Sequence, residues 1–326
     1  MKQPQLPEPR GELSAAVVEA LRGEPADRQY PLAAAVQADP YGEDLQLALH
    51  ICYELHYRGF DLVNSEWEWN PELLRLRSAM EDLFLAALRR DVPGGTDVSG
   101  TFDALLVEPV DAVGISHHLR TDGEWWQVCE YFVHRSIYHH KEGDPHAWVI
   151  PRLQGQAKAS VVAVEFDEYG SGRAERMHSQ LYVDLLAGAR LETEYLHYLN
   201  VVPAPMLAVV NMMSMFGLHR ALRGALVGHF AAAEITSGPS AKRIASALRR
   251  LEADPACVFF FTEHVEADAV HELVMRRDVI GDLLKREPEL TESVVFGLQA
   301  TELVEERFAT GVLHAWRAGQ TSLLRS

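Results

Sequence analysis

Cysteine is scarce in this chain. Cys52, Cys129 and Cys257 are scattered, odd in number and form no CxxC pair. That excludes a disulfide framework and points to a reduced, cytoplasmic setting. Basic charge is also short: 30 Lys and Arg stand against 47 Asp and Glu, for a net charge of -17. Nucleic acids and anionic membrane surfaces both attract basic patches, so neither is an expected partner. Such acidity ordinarily serves solubility. No apolar run reaches the roughly 18 residues that a bilayer-crossing helix needs. The opening MKQPQLPEPRGEL lacks an apolar core and is not expected to be a signal peptide. Internal repeats and low-complexity tracts are missing as well.

What the chain does have is apolar mass and helical periodicity. It is 326 residues long and 48% hydrophobic, enough for one large domain or two small ones. The apolar spacing predicts helices over 11–23, 43–58, 71–90, 124–142, 152–169, 173–188, 192–199, 205–236, 240–253, 256–286 and 289–318. Asn70-Pro71-Glu72 supplies an N-cap and a proline at the first helical position. Ser237-Gly238-Pro239 is expected to end a helix. Asp91 to Asp111 lacks helical periodicity, and Val107 to Gly114 suits a short extended segment. Residues 1–120 form an N-terminal helical region expected to pack on the remainder, giving one compact all-α domain.

One stretch is chemically odd. In FTEHVEADAVHE, His264, Asp268 and His271 fall at i, i+4 and i+7 of a helix, within an arc of roughly 60°. Cys257, Phe260, Phe261 and Met275 project into or beside that arc, so three polar groups lie on the face that should be buried. Burial without partners would cost several kcal/mol. They either pair with other polar groups or hold something.

Partners exist elsewhere. Glu175 and His178 in GSGRAERMH are spaced i, i+3, a pairing that recurs in carboxylate-bridged di-metal bundles. Glu168 sits just before the Gly170 turn. Glu234 follows Phe230 by four residues on an apolar stripe, and Glu142 lies in HHKEGDP at the end of an aromatic-rich helix. Each signal alone is weak, and Glu165 and Asp167 are expected to be solvated. Together, three histidines and several carboxylates on separate apolar faces suit two divalent first-row metals. The bland alternative, a buried ion-pair network, needs Lys or Arg on the same faces, and 264–271 contains neither.

Other residues invite lesser readings. Met212, Met215, Phe216 and Phe261 are candidates for a substrate pocket, although Met and Phe at helical spacing ordinarily fill a core. Gly217, Gly224 and Gly228 permit close helix approach at roughly 1 kcal/mol each against alanine. Trp125 and Trp126 are expected to anchor their helix in the core. Tyr131, Tyr138, Tyr169 and Tyr182 lie near candidate ligands, and nothing in the sequence chooses among them. Arg135 is expected at the surface.

With these motifs in hand, the chain resembles the heme-oxygenase-like diiron oxidases and oxygenases, the iron-containing redox enzyme family. The matching elements are DEYGSGRAERMH, GHFAAAEITSG and HVEADAVH, with similar spacings between them. The resemblance covers roughly 125–285 and extends loosely to ALHICYELHYRGF. It implies an all-α bundle of about seven core helices holding the metals between them, with residues 121–326 as the diiron domain. It assigns His178, Glu234, His264, Asp268 and His271 as metal ligands and Glu168 as the carboxylate before the Gly turn, with Glu175 as its competitor. Glu142, in YHHKEGDPH, resembles an extra carboxylate ligand of the N-oxygenating branch.

The resemblance further implies two Fe ions, no haem, and O₂ as co-substrate, activated through a peroxo-diiron(III) species. The favoured activity is N-oxygenation of a small amine or amino-acid-like substrate to hydroxylamine or nitro in specialised metabolism, with an external reductant restoring Fe(II). Desaturation or oxidative C–C cleavage is the alternative chemistry. Other classes stay open: haem binding, a Cys257-based hydrolase without an evident base, and a non-catalytic metal-binding helical protein. The amphipathic 292–318 stretch suits either the core or a homodimer interface.

Overall fold

The computed structural model describes residues 3–25, 29–108 and 112–325, except for the side chains of 267–269. In chain order the helices are α1 Glu12–Leu21, α2 Leu32–Gln37, α3 Glu43–Glu54, α4 Pro71–Asp91, α5 Val98–Leu106, α6 Ile115–Thr121, α7 Trp125–His139, the short α8 Asp144–Ala147, α9 Gly155–Glu168, α10 His178–Gly188, α11 Ala204–Leu218, α12 Arg223–Arg250, α13 Pro255–Val274, α14 Gly281–Arg286 and α15 Thr291–Arg317. No strand occurs among the described residues.

Local chemistry explains several ends. The Asn70 side chain accepts from the amides of Glu72 and Leu73, starting α4 as its cap motif requires. Asp254 does the same for α13 through the Ala256 amide at 2.9 Å, with Pro255 next.

Tertiary contacts overrule periodicity elsewhere. The helix expected over 205–236 breaks at His219, because Arg152 donates to the carbonyls of Gly217 and Leu218 and closes α11 there. The stop expected at Ser237-Gly238-Pro239 is crossed: α12 runs through Pro239. Its flanks pack against α15, α13 and α6, which outweighs the one helical bond that proline removes. The helix expected over 192–199 does not form. Leu196 has a φ of 56°, and Tyr195 is drawn to Glu54, its hydroxyl donating at 2.7 Å. Short helices α2, α5 and α6 appear where none was expected. Of the segment Val107 to Gly114, residues 109–111 lie outside the described residues, and the flanking ones are non-helical. Trp125 and Trp126 are each over one-third exposed and do not anchor α7 in the core. They occupy its first turn, where the helix has only begun to pack.

Helix α11 is buried on nearly every face and sits centrally, against α3, α15 and α12. Helix α12 packs tightly on α15. A Cβ added at Gly297 would lie 2.0 Å from the Ala225 carbonyl oxygen, and one at Gly228 would lie 2.2 Å from that of Val294. The backbones of α12 and α15 therefore touch. One apolar cluster extends from Leu13 to Trp316. After α13 the chain takes a π-helical stretch, Met275–Ile280, before α14.

Candidate metal centre

Five elements converge between α7 and α13. Glu142 lies in the turn joining α7 to α8, where Gly143 at φ 88° reverses the chain. Glu168 is the last residue of α9 and His178 the first of α10. Glu234 is in the middle of α12, and α13 contributes His264 and His271, about two turns apart. Two groups result. Ligand atoms of Glu142, His178 and His264 lie within 4.8 Å of one another, as do those of Glu168, Glu234 and His271. All six residues are buried.

Glu168 ties the groups together. Its Oε2 is 2.7 Å from His178 Nδ1, and its Oε1 is 3.6 Å from His271 Nδ1. One carboxylate therefore presents one oxygen to each group, which is the geometry of a bridging ligand. Glu234 Oε2 lies 3.2 Å from His271 Nδ1. Glu142 Oε1 is 3.5 Å from His264 Nε2, and the His178 and His264 rings are 4.4 Å apart.

The donor set fits metal ions better than a closed network. His178 Nδ1 and His271 Nδ1 approach carboxylates closely, yet neither makes a directed hydrogen bond. Donor atoms that converge in this way without an aligned hydrogen bond are what an intervening cation organises. The far sides of two imidazoles are held. His264 Nδ1–H donates to the Phe260 carbonyl at 2.7 Å, leaving Nε2 to face Glu142. His271 Nε2 meets Asp167 Oδ2 at 3.2 Å, leaving Nδ1 to face Glu168 and Glu234. Such outer partners set the tautomer and ring direction of metal-ligating histidines. No Lys or Arg enters either group among the described residues.

The electrostatics show mutual dependence. Burial pushes the Glu142 carboxyl up, but His139 and His264 outweigh it and hold it well below the usual carboxylate range. Burial disfavours the His271 imidazolium, yet Glu234 at 3.2 Å, then Glu168 and Asp167, raise it to about 9 when no metal is bound, so that a proton stands in for the cation. His178 is raised as well: burial opposes this and Glu168 prevails. Tyr138 stands out among the tyrosines. Burial, then the charges of Glu142, Glu168, Glu165 and Glu234, drive its phenol far up, so it stays protonated beside all four carboxylates. Tyr169 and Tyr182 are engaged elsewhere, donating to Asp144 and to the Phe132 carbonyl.

The sequence candidates separate accordingly. Glu142, Glu168, His178, Glu234, His264 and His271 come together. The Asp268 side chain lies outside the described residues. Glu175 is exposed on a 3₁₀ turn, Ala174–Arg176, and belongs to neither group. Helix α10 begins only at His178, so the i, i+3 helical face assumed for Glu175 does not exist. Met212, Met215 and Phe216 are fully buried on α11, and Phe261 stacks on Phe132 at 6.0 Å. None of these four lines the cavity that opens on His178 and His271.

Arg135, expected at the surface, is half-buried against Tyr131 and Phe308 and forks onto Glu305 at 2.8 and 2.7 Å. Cys257 gives its thiol to the Leu185 carbonyl, and burial pushes it up to about 12, so no thiolate nucleophile is available there.

Three residues escaped the sequence reading. His139 Nδ1 is 2.9 Å from Glu142 Oε1, one turn earlier on α7, and an i, i+3 check would have found it. Asp167 holds His271. Glu165 is buried, not solvated, with both oxygens lacking a hydrogen bond; burial, then Glu168, Glu234 and Asp144, raise its carboxyl well above the usual range.

A buried carboxylate–imidazole centre between the helices of an all-α fold is a candidate metal site. A family model described as iron-containing redox enzyme matches residues 129–306, more than half of the chain, and contains every residue of both groups. The chain belongs to this heme-oxygenase-like family. No curated protein matches it.

Proposed function

We propose that this protein is an O₂-dependent, non-haem diiron oxygenase that oxidises the nitrogen of a small amine or amino-acid-like substrate. The observation that carries the reading is the place of Glu142. It could have been a solvated turn residue, yet it is buried with His178 and His264. That supplies the extra carboxylate associated with N-oxygenating relatives in the resemblance.

The residues present suit two irons. Glu142, His178 and His264 would hold one, and Glu168, Glu234 and His271 the other, with Asp268 as a further ligand. Glu142, Glu168, Glu234 and Asp268 together match the charge of two ferrous ions. When bound, such a pair supplies the reduction of O₂ to an electrophilic oxidant. The chain's own part is to neutralise and hold. Asp167 and the Phe260 carbonyl orient two imidazoles, and Glu168 sets the distance between the groups. The balance for an amine is RNH₂ + O₂ + 2 e⁻ + 2 H⁺ → RNHOH + H₂O, with the electrons from an external reductant in the cytoplasm.

The test is an anaerobic Fe(II) titration of the apoprotein, then an O₂ pulse followed in the visible and an amine screen by mass spectrometry. Uptake near two irons per chain, a transient band and a hydroxylamine or nitro product support the proposal. An alkene or a cleaved C–C product would redirect it to the alternative oxidase chemistry. Absence of specific iron uptake would return the buried groups to a network reading.

A further inference from the structure

The two metal groups are buried, so cations must reach them by some path. One cavity of about 300 Å³ opens between the α9–α10 turn and α13. His178 and His271, one from each group, line it. Both present an Nδ1 without a directed hydrogen bond, on side chains no more than 6% exposed. Around them the same cavity carries Asp167, Glu263 and Glu266 against a single guanidinium, Arg176.

Those outer groups are not fixed as core groups are. Glu266 is exposed, and Glu263 meets Arg176 in a bridge of 3.3 Å whose arginine side is 52% exposed. Glu263 and Glu266 stand one turn apart on α13, flanking the ligand-bearing face. An excess of carboxylates around a recess raises the local concentration of cations and speeds their capture. Weakly held oxygens at a solvent-facing mouth also suit a divalent ion that sheds its water stepwise.

We infer that this cavity is the loading route for divalent iron, with Glu263 and Glu266 drawing the ion in and Arg176 competing for Glu263. The inference rests on the diiron reading of the two groups. Arg176 lies two residues before His178, and Glu263 is adjacent to His264. The route therefore runs directly from surface charge to one ligand of each group by way of His178 and His271.

The experiment mixes metal-free protein with Co(II) in a stopped-flow instrument and follows the visible ligand-field bands over a range of salt. The Glu263→Gln/Glu266→Gln double variant should load about tenfold more slowly, with a flatter salt dependence and an unchanged final stoichiometry. Arg176→Gln should load faster than the parent. Because these side chains reach solvent, circular dichroism should show unaltered helices. Loading rates and salt dependence equal to those of the parent would overturn the route while leaving the diiron reading intact. Failure of the parent itself to bind metal would overturn both. A variant that loads normally but shows only a raised KM for substrate would assign the cavity to substrate instead.

Discussion

Lys141 and Glu142 are neighbours in sequence and belong to opposite kinds of buried polar cluster. Lys141 Nζ meets Glu54 Oε2 at 2.8 Å, both side chains almost wholly buried, and lies over the Tyr57 ring at 4.1 Å. Tyr195 donates to the other Glu54 oxygen at 2.7 Å. That cluster is closed: opposite charges meet and the oxygens are occupied. On the other side of one peptide bond, Glu142 faces only imidazoles among the described residues, His139 at 2.9 Å and His264 at a long 3.5 Å, with no Lys or Arg to cancel its charge. The difference teaches what distinguishes a structural ion pair from a site. A structural pair cancels its own charge, whereas the metal groups concentrate carboxylates and imidazoles that need protons or metal cations to balance them.

The comparison can be broken most decisively at the open cluster. Glu234→Ala or His264→Ala should abolish iron loading while the helical fold remains, measured as metal per chain beside far-UV circular dichroism. Full iron occupancy in either variant would show that the groups are not ligands. At the closed cluster, Lys141→Met strands the Glu54 carboxylate and should cost about 3–5 kcal/mol in urea unfolding. A loss below about 1 kcal/mol would mean that the Tyr195 hydroxyl and the Arg58 backbone amide, 3.4 Å from Glu54 Oε1, satisfy Glu54 unaided.

A subtler contrast concerns orientation. Asp167→Asn keeps a polar partner for His271 but removes the charge, and should weaken binding at the Glu168–Glu234–His271 group about 10–100-fold. Equilibrium titration should show one site weakened and the other retained. Equal affinity at both sites would remove Asp167 from this role.

The smallest effect is expected at Glu165. Its folded carboxyl titrates well above the unfolded one, so the unfolded chain ionises first as pH rises. From about pH 4.5 upward, metal-free protein should therefore lose stability through this group until the folded carboxyl also ionises. Glu165→Gln should raise the melting temperature of metal-free protein at neutral pH, by a margin that grows from pH 5 to 7. An unchanged slope against pH would show that Glu165 is relieved by another route.

The legible part of this molecule was the part written in period and residue type. Helical spacing placed His264 and His271 on a buried face, and carboxylates on other apolar stripes supplied their partners. Group membership was not legible, because it depends on where helices cross: nothing in the sequence separates Glu142, which joins His178, from Glu234, which joins His271. Glu165 was misjudged for a related reason, whereas Asp167 is exposed as expected and still reaches His271 at 3.2 Å. Both sit on the helix that ends in Glu168, and only packing gives them neighbours: His271 of α13 for Asp167, and Glu234 of α12 and Asp144 of α8 for Glu165. Tertiary contacts also decided the irregular stretches. Arg152 ends α11 early, while Pro239 fails to end α12. Each is a case of distant partners outweighing local propensity.

The backbone contact between α12 and α15 has a bearing on how this protein can change over generations. With Gly228 and Gly297 in van der Waals contact with opposing carbonyls, neither helix can slide or roll to accommodate a larger residue. Glu234 rides on α12 less than two turns beyond that lock. Its depth is therefore inherited from main-chain geometry and is insulated from most side-chain drift. Adaptation to a new substrate would have to proceed on other walls, chiefly the α7–α8 turn and α13, while this pair of helices acts as the fixed jaw.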